Sequence, residues 1–230
     1  MEAIDNVVVK STRMHESLKM FIRLTGVTAN KLALGALLRA GNKKLPNTTA
    51  IFSMGSATDC PSKKLGFCQA INKNGINCCY AKKAEYSYHP DVLPFRRRQE
   101  KYWKEVSANK FITDFLIINS FKVIPFNALR LNEAGDFHTQ ECVDKAEAIA
   151  RGLKKFGIRV YCYTARRDLD FSKVRNLVIS GSNFAKDGVR GMFKMVHSIK
   201  DKPKGYGICK GDCRVCQKCL IGRKTVILRH

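Results

Sequence analysis

Phe126-Asn127-Ala128-Leu129-Arg130-Leu131-Asn132, followed by Glu133-Ala134-Gly135-Asp136, reads as a strand ending in a turn, and what comes next decides the fold. Thr139 stands where a helix cap belongs. Val143, Ala146, Ile149, Ala150, Leu153 and Phe156 recur at helical spacing, and Gly157 supplies the stop. Ile158-Arg159-Val160-Tyr161-Cys162-Tyr163-Thr164 is β-branched and aromatic, a second strand. Leu169–Val174 fits a short helix, Asn176–Ser180 a third strand and Phe193–Ser198 a fourth. Strand–helix–strand alternation predicts parallel βα units. The expected fold class is therefore α/β, a parallel sheet with a small C-terminal cysteine-rich module. Chemistry in such sheets collects at the C-terminal ends of the strands. That places Glu133, Gly135, Asp136, Thr164, Arg166, Ser180 and Asn183 on one rim.

Upstream, residues 14–40 carry Leu18, Phe21, Ile22, Leu24, Leu34, Leu37 and Leu38 at mixed three-and-four spacing, which predicts helix; Gly41-Asn42 ends it. Residues 55–79 hold four cysteines among Gly, Asn and Lys, and read as a loop shaped by its ligands. The expected organisation is an N-terminal helical segment (1–40), a βα core (41–200) and a cysteine-rich tail (201–230).

With 230 residues, 45% of them hydrophobic, the chain has material for a sizeable core without cross-links. The N-terminus lacks the basic and apolar regions of a signal peptide. No apolar run approaches the roughly 20 residues that span a membrane. A cytoplasmic protein is expected, and ten cysteines in a reducing compartment point to metal rather than disulfides. Cys142 and Cys162, isolated in apolar surroundings, fit buried thiols acting as small hydrophobes.

Cys209, Cys213, Cys216 and Cys219 give the sharpest motif. Two-residue gaps let successive thiolates curl round one inorganic centre, and four complete its shell. Iron–sulfur clusters use such compressed runs. Zinc is the rival, but structural zinc usually takes two separated pairs. Lys210, Arg214 and Lys218 interleave the ligands, and positive charge beside thiolates favours the ionised form. Cys60, Cys68, Cys78 and Cys79 form a second, irregular group. Adjacent cysteines diverge, so Cys60, Cys68 and one of Cys78 and Cys79 are the expected ligands. Three thiolates on a 4Fe–4S cluster would leave one iron open. The plain alternative is that this group completes the C-terminal site or binds nothing.

Several short motifs then occur in order: Gly41-Asn42-Lys43-Lys44-Leu45, Ile51-Phe52-Ser53-Met54, Cys60-Pro61, Cys79-Tyr80-Ala81, Leu131 through Phe137, and Tyr161-Cys162-Tyr163-Thr164. Together they resemble the phage Gene Product 88 domain family, over roughly residues 38–221. That family is in turn distantly similar to radical SAM enzymes, which fold as partial or full βα barrels, so the resemblance implies that the sheet is a partial (βα) barrel-like one. The resemblance implies Cys60, Cys68 and Cys79 as 4Fe–4S ligands, Glu133, Gly135 and Asp136 at an S-adenosylmethionine-binding strand end, and Ser180 or Asn183 near its ribose. The cysteine gaps of seven and ten residues, and a single glycine before the acid, depart from the radical SAM pattern.

The net charge of +23, from 42 basic and 19 acidic residues, favours polyanions, with DNA or RNA the expected partner. Between residues 82 and 104, Lys82, Lys83, Arg96, Arg97, Arg98, Lys101 and Lys104 alternate with Tyr86, Tyr88, Tyr102 and Trp103. Such a stretch suits phosphates and stacked bases, or a solvated helix with its aromatics in the core. Glu133 and Asp136 are candidate acid/base or cofactor-binding groups, or an acidic cap on the helix that follows. His138 beside them is read as structural.

Overall fold

A computed structural model describes residues 32–68, 79–88, 90–196 and 198–228, together with Glu16, Met20 and Gly26. The expected N-terminal helix lies outside the described residues at Leu18, Phe21, Ile22 and Leu24, as does Cys78, but its end at Leu34, Leu37 and Leu38 is not α-helical: Gly35–Leu37 is a single 3-10 turn, Leu38 is extended and Arg39–Ala40 is a strand.

The chain builds one eight-stranded sheet: β1 (Arg39–Ala40), β2 (Thr49–Phe52), β3 (Ala128–Leu131), β4 (Arg159–Thr164), β5 (Val178–Ser182), β6 (Gly191–Val196), β7 (Gly207–Ile208) and β8 (Thr225–Leu228). Their spatial order is β1-β2-β3-β4-β5-β6-β8-β7, and only β1–β2 is antiparallel. The α/β expectation holds at this level, and the sheet does not close on itself. From β2 to β6 spatial order follows chain order. Successive crossovers of one hand then carry to one face the helices between β2 and β4 that build the core.

That face is the core. Phe52 from β2, Leu129 and Leu131 from β3, Val160 and Cys162 from β4 and Ile179 from β5 alternate onto it. They meet α3 (Val92–Glu105), α4 (Ala108–Ser120) and α5 (Gln140–Lys154), whose buried stripes include Trp103, Phe111, Phe115 and Ile149. Phe52 lies edge-on to Phe111 at 5.3 Å between ring centroids, with Tyr102 and Trp103 around it. Lys145 of α5 donates to the carbonyls of Trp103 and Val106, tying α5 to the α3–α4 junction.

The strand expectations fall within two residues of the observed bounds. Gly157 ends the turn after α5 at φ +74°. Thr139 occupies the cap position of α5, but its hydroxyl makes no capping bond and turns to Cys142 Sγ instead. Leu169–Val174 is not helical. Arg166 closes on Asp168, and Asp170 on Ser172, and these short-range side-chain bonds form turns where a helix was expected.

The opposite face of the sheet carries Ala128, Tyr161, Tyr163 and Val178, and the tail packs there. Strand β8 inserts between β6 and β7, so the cysteine-rich segment is stitched into the main sheet. No helix among the described residues is long and apolar enough to cross a membrane.

Candidate metal centres at the rim and on the open face

The first cysteine group follows β2 at the C-terminal rim. Cys60 precedes α1 (Pro61–Lys64), and Cys79 precedes α2 (Tyr80–Ser87). The Cys60 thiol is pushed up to about 12 by burial, with the nearby Asp136 charge and Cys68 adding to it. Lys63 and Lys82 stand against each other, with Cys79 acting on both and Cys60 on Lys63. Two ammonium groups held together repel unless an anion lies between them.

The loop that presents Cys60 is fixed residue by residue. Glu85 of α2 accepts the Ala57 amide at 2.7 Å, the Thr58 amide at 2.9 Å and the Thr58 hydroxyl at 2.7 Å. Arg96 of α3 donates to Glu85 at 2.8 Å and to the Ala81 carbonyl at 2.8 Å. Both side chains of this pair are buried. Burial raises the Glu85 carboxyl, but Arg96, the Ala57 amide and Thr58 outweigh it and hold it below its ordinary value.

The acidic rim residues all have protein partners. Asp136 is buried and accepts from Ser62 Oγ at 2.6 Å, the Ala165 amide at 2.8 Å and the Phe137 amide at 2.8 Å. Burial nevertheless raises its carboxyl. Glu133 accepts from Asn42 Nδ2 at 2.9 Å and lies 3.6 Å from Arg39, while its backbone carbonyl accepts the Tyr80 hydroxyl at 2.7 Å. Gly135 has φ +71°, and a Cβ there would stand 2.7 Å from the Gly55 carbonyl oxygen. This glycine is what lets the β2 and β3 loops touch. His138 bonds the Met54 carbonyl at 3.1 Å, a structural role as expected.

Ser180 lies in the middle of β5, opposite Tyr163 of β4, on the face the tail covers. Asn183 follows that strand in a left-handed conformation, its amide on the Phe193 carbonyl at 3.0 Å. The two are thus separated by the strand end. The rim proper gathers Glu133, Gly135, Asp136, Ala165 and Arg166.

The second cysteine group occupies the open face. Cys209, Cys213, Cys216 and Cys219 line one cavity of about 270 Å³ with Arg130, Tyr161 and Tyr163. Asp212 caps α6 (Cys213–Cys216) by accepting the Arg214 amide, and Gln217 turns the chain at φ +45° so that Cys219 comes back toward the sheet. The Cys213 amide donates to the Lys44 carbonyl at 2.8 Å, and the Cys209 amide to Val226 at 2.7 Å. Burial raises the thiols of Cys213 and Cys219; each also feels Cys209 and Cys216, so the four act on one another. Thr225 Oγ1 lies 3.8 Å from the Cys219 sulfur. Among the described residues there is no disulfide, and no three of His, Cys, Asp or Glu are close enough to grip a single metal ion.

Residues 23–185, well over half of the chain, match the Gene product 88 family model. The chain belongs to the Gene product 88 family. No curated protein and no solved structure matches it. The family match takes in β1 to β5, and with them Cys60, Cys68 and Cys79. The tail quartet of this Gene product 88 protein lies beyond it.

Arg130, Tyr161 and Tyr163 escaped the sequence reading. Their signal was alternation: Arg130 breaks the apolar run of β3, and the two tyrosines flank Cys162 on the face that Cys162 does not share.

Proposed function

We propose that this chain is an iron–sulfur protein in which Cys209, Cys213, Cys216 and Cys219 hold a 4Fe–4S cluster against the open face of the sheet. The observation that carries it is one cavity lined by all four thiols, beside a guanidinium and two tyrosines. Thiolate ligation, local positive charge and hydrogen bonds to sulfur are what such clusters use. Closing on one zinc ion would draw the thiols together, whereas a four-iron cube takes its ligands farther apart. Anaerobic purification followed by iron, zinc and acid-labile sulfide analysis tests it. About four irons and four sulfides per chain, lost on Cys213→Ala and Cys219→Ala together, is the expected result. Zinc without sulfide replaces this with a zinc-stabilised module, and neither metal after reconstitution ends it.

A second reading adds a rim cluster on Cys60, Cys68 and Cys79 with S-adenosylmethionine at its open iron. It is favoured by a cysteine loop after the first parallel strand and an acidic turn after the next, in a sheet whose strands follow chain order. Glu133 would then exchange Asn42 and Arg39 for the ligand's ammonium group. Reductive incubation with S-adenosylmethionine, assayed for 5′-deoxyadenosine, decides it; no product above a Cys60→Ala control sinks it.

Nucleic acid is the polyanion we propose as partner. Tyr86 and Tyr88 are 71% and 66% exposed beside Lys82 and Lys83, while Tyr102 and Trp103 are buried in the core. Exposed rings beside cations suit stacked bases on single strands. Titration of labelled single-stranded DNA and RNA at low and high salt tests this, and absence of binding at low salt rejects it.

A further inference from the structure

Arg130 stands between the two cysteine groups. Strand alternation puts Leu129 and Leu131 in the core and sends Arg130 to the tail-facing side. Its Nη2 donates to the Tyr80 hydroxyl at 3.2 Å, and Tyr80 is the residue after Cys79. Its guanidinium carbon lies 5.4 Å over the ring of Tyr163, which lines one cavity with Cys219. Its Nε is buried with no hydrogen-bond partner among the described residues.

A guanidinium is charged at every physiological pH. Its Nε, shut off from water and unpaired, favours an anion beside it. Glu133 acts on it only weakly and already serves Asn42 and Arg39. Arg130 lines the same cavity as the four tail thiols, and their ligation to a cluster would supply that anion.

We propose that Arg130 sets the reduction potential of the tail cluster, and that Tyr80, Arg130 and Tyr163 form the contact path joining that cluster to the rim cysteines. This rests on the iron–sulfur reading above. In the step concerned, the oxidised cluster takes one electron from an external one-electron donor such as dithionite. No bond forms or breaks, and the cluster becomes one charge more negative. A fixed cation beside it stabilises that product more than the reactant, and so raises the potential. Arg130 is a positioning residue in this account, since its effect is electrostatic.

The experiment is an anaerobic redox titration of full-length reconstituted protein, followed by electron paramagnetic resonance, with a Cys60→Ala background to isolate the tail signal. Arg130→Gln is expected to make reduction about tenfold less favourable, about 59 mV for one electron. Arg130→Lys is expected to restore most of that shift, because it keeps the charge. Arg130→Gln protein with full iron and sulfide, a native circular dichroism spectrum and an unchanged potential overturns the inference alone. Wild-type protein that takes up no iron overturns it together with the iron–sulfur reading. Should Arg130→Gln not fold, Arg130→Met carries the test, and an unmoved potential there is fatal.

Discussion

Ser62 donates its hydroxyl to Asp136 Oδ2 at 2.6 Å, and this bond fastens the helix that begins after Cys60 to the end of β3. The same carboxylate takes the Ala165 and Phe137 amides, so one buried side chain aligns the ends of β3 and β4 with the rim cysteine loop.

Asp136→Ala removes the acceptor for all three donors. An orphaned buried donor costs about 1–3 kcal/mol, and water entering the space recovers part of that. A net loss of about 3 kcal/mol is expected, or roughly 6–12 °C in Tm for a chain of this size. Faster alkylation of Cys60 should accompany it, measured by mass spectrometry. A variant within 2 °C of wild type, with Cys60 equally protected, would show that the loop is anchored elsewhere.

Glu85→Ala leaves the buried Arg96 guanidinium without its partner. Breaking a buried pair from one side costs about 3–5 kcal/mol, read by denaturant unfolding at pH 7. The pH dependence follows from the sign of the shift. The folded-state Glu85 value is depressed, so its contribution is complete above the unfolded value near 4.3. It is lost as pH falls through the folded value. Wild type minus Glu85→Gln should therefore shrink as pH is lowered below about 4.3; a difference that grows there contradicts the assignment.

Gly135→Ala combines left-handed backbone with a Cβ pressed on the Gly55 carbonyl. Gly157 has nearly the same φ but nothing within 4 Å. Backbone strain alone is worth about 1–2 kcal/mol, so Gly157→Ala serves as the reference. Gly135→Ala should lose at least twice as much by thermal or chemical unfolding. Equal losses would mean that the loops separate without penalty.

The tail thiols should respond differently from the buried ones. Cys219→Ala is expected to lower iron and sulfide content together, and Cys162→Ala to lower stability while leaving metal content intact. Cys162 is buried in the helix-side core, where losing the sulfur costs about 1 kcal/mol by the transfer of its apolar surface. Loss of iron from Cys162→Ala and not from Cys219→Ala would assign the ligands wrongly.

The legible parts of the fold were those whose burial follows a regular period. Val143 to Leu153 show one helical stripe, and the runs from Ala128 and Arg159 read as strands because both lie in the middle of a sheet. Helix α4 went unassigned because both of its faces are largely apolar, with Phe111, Phe115, Ile117 and Ile118 all buried, and a stripe without a polar side has no period to find. Turns closed by Asp168 and Asp170 looked helical because side-chain bonds two residues apart leave no mark on hydropathy.

The sequence by itself determined that strands and helices alternate, that eight of the ten thiols cluster into two groups, and that the surface is strongly basic, because each is a matter of local order and composition. Only the tertiary structure decided that the groups lie in different places, one beyond the strand ends and one on the face the helices leave uncovered. It also decided that Asp136 and Glu133 are bound by Ser62 and Asn42, and that Arg130 comes between Tyr80 and Tyr163. Those relations join residues fifty or more positions apart, except for Arg130 and Tyr163. Their geometry is set by how a parallel sheet stacks its strands.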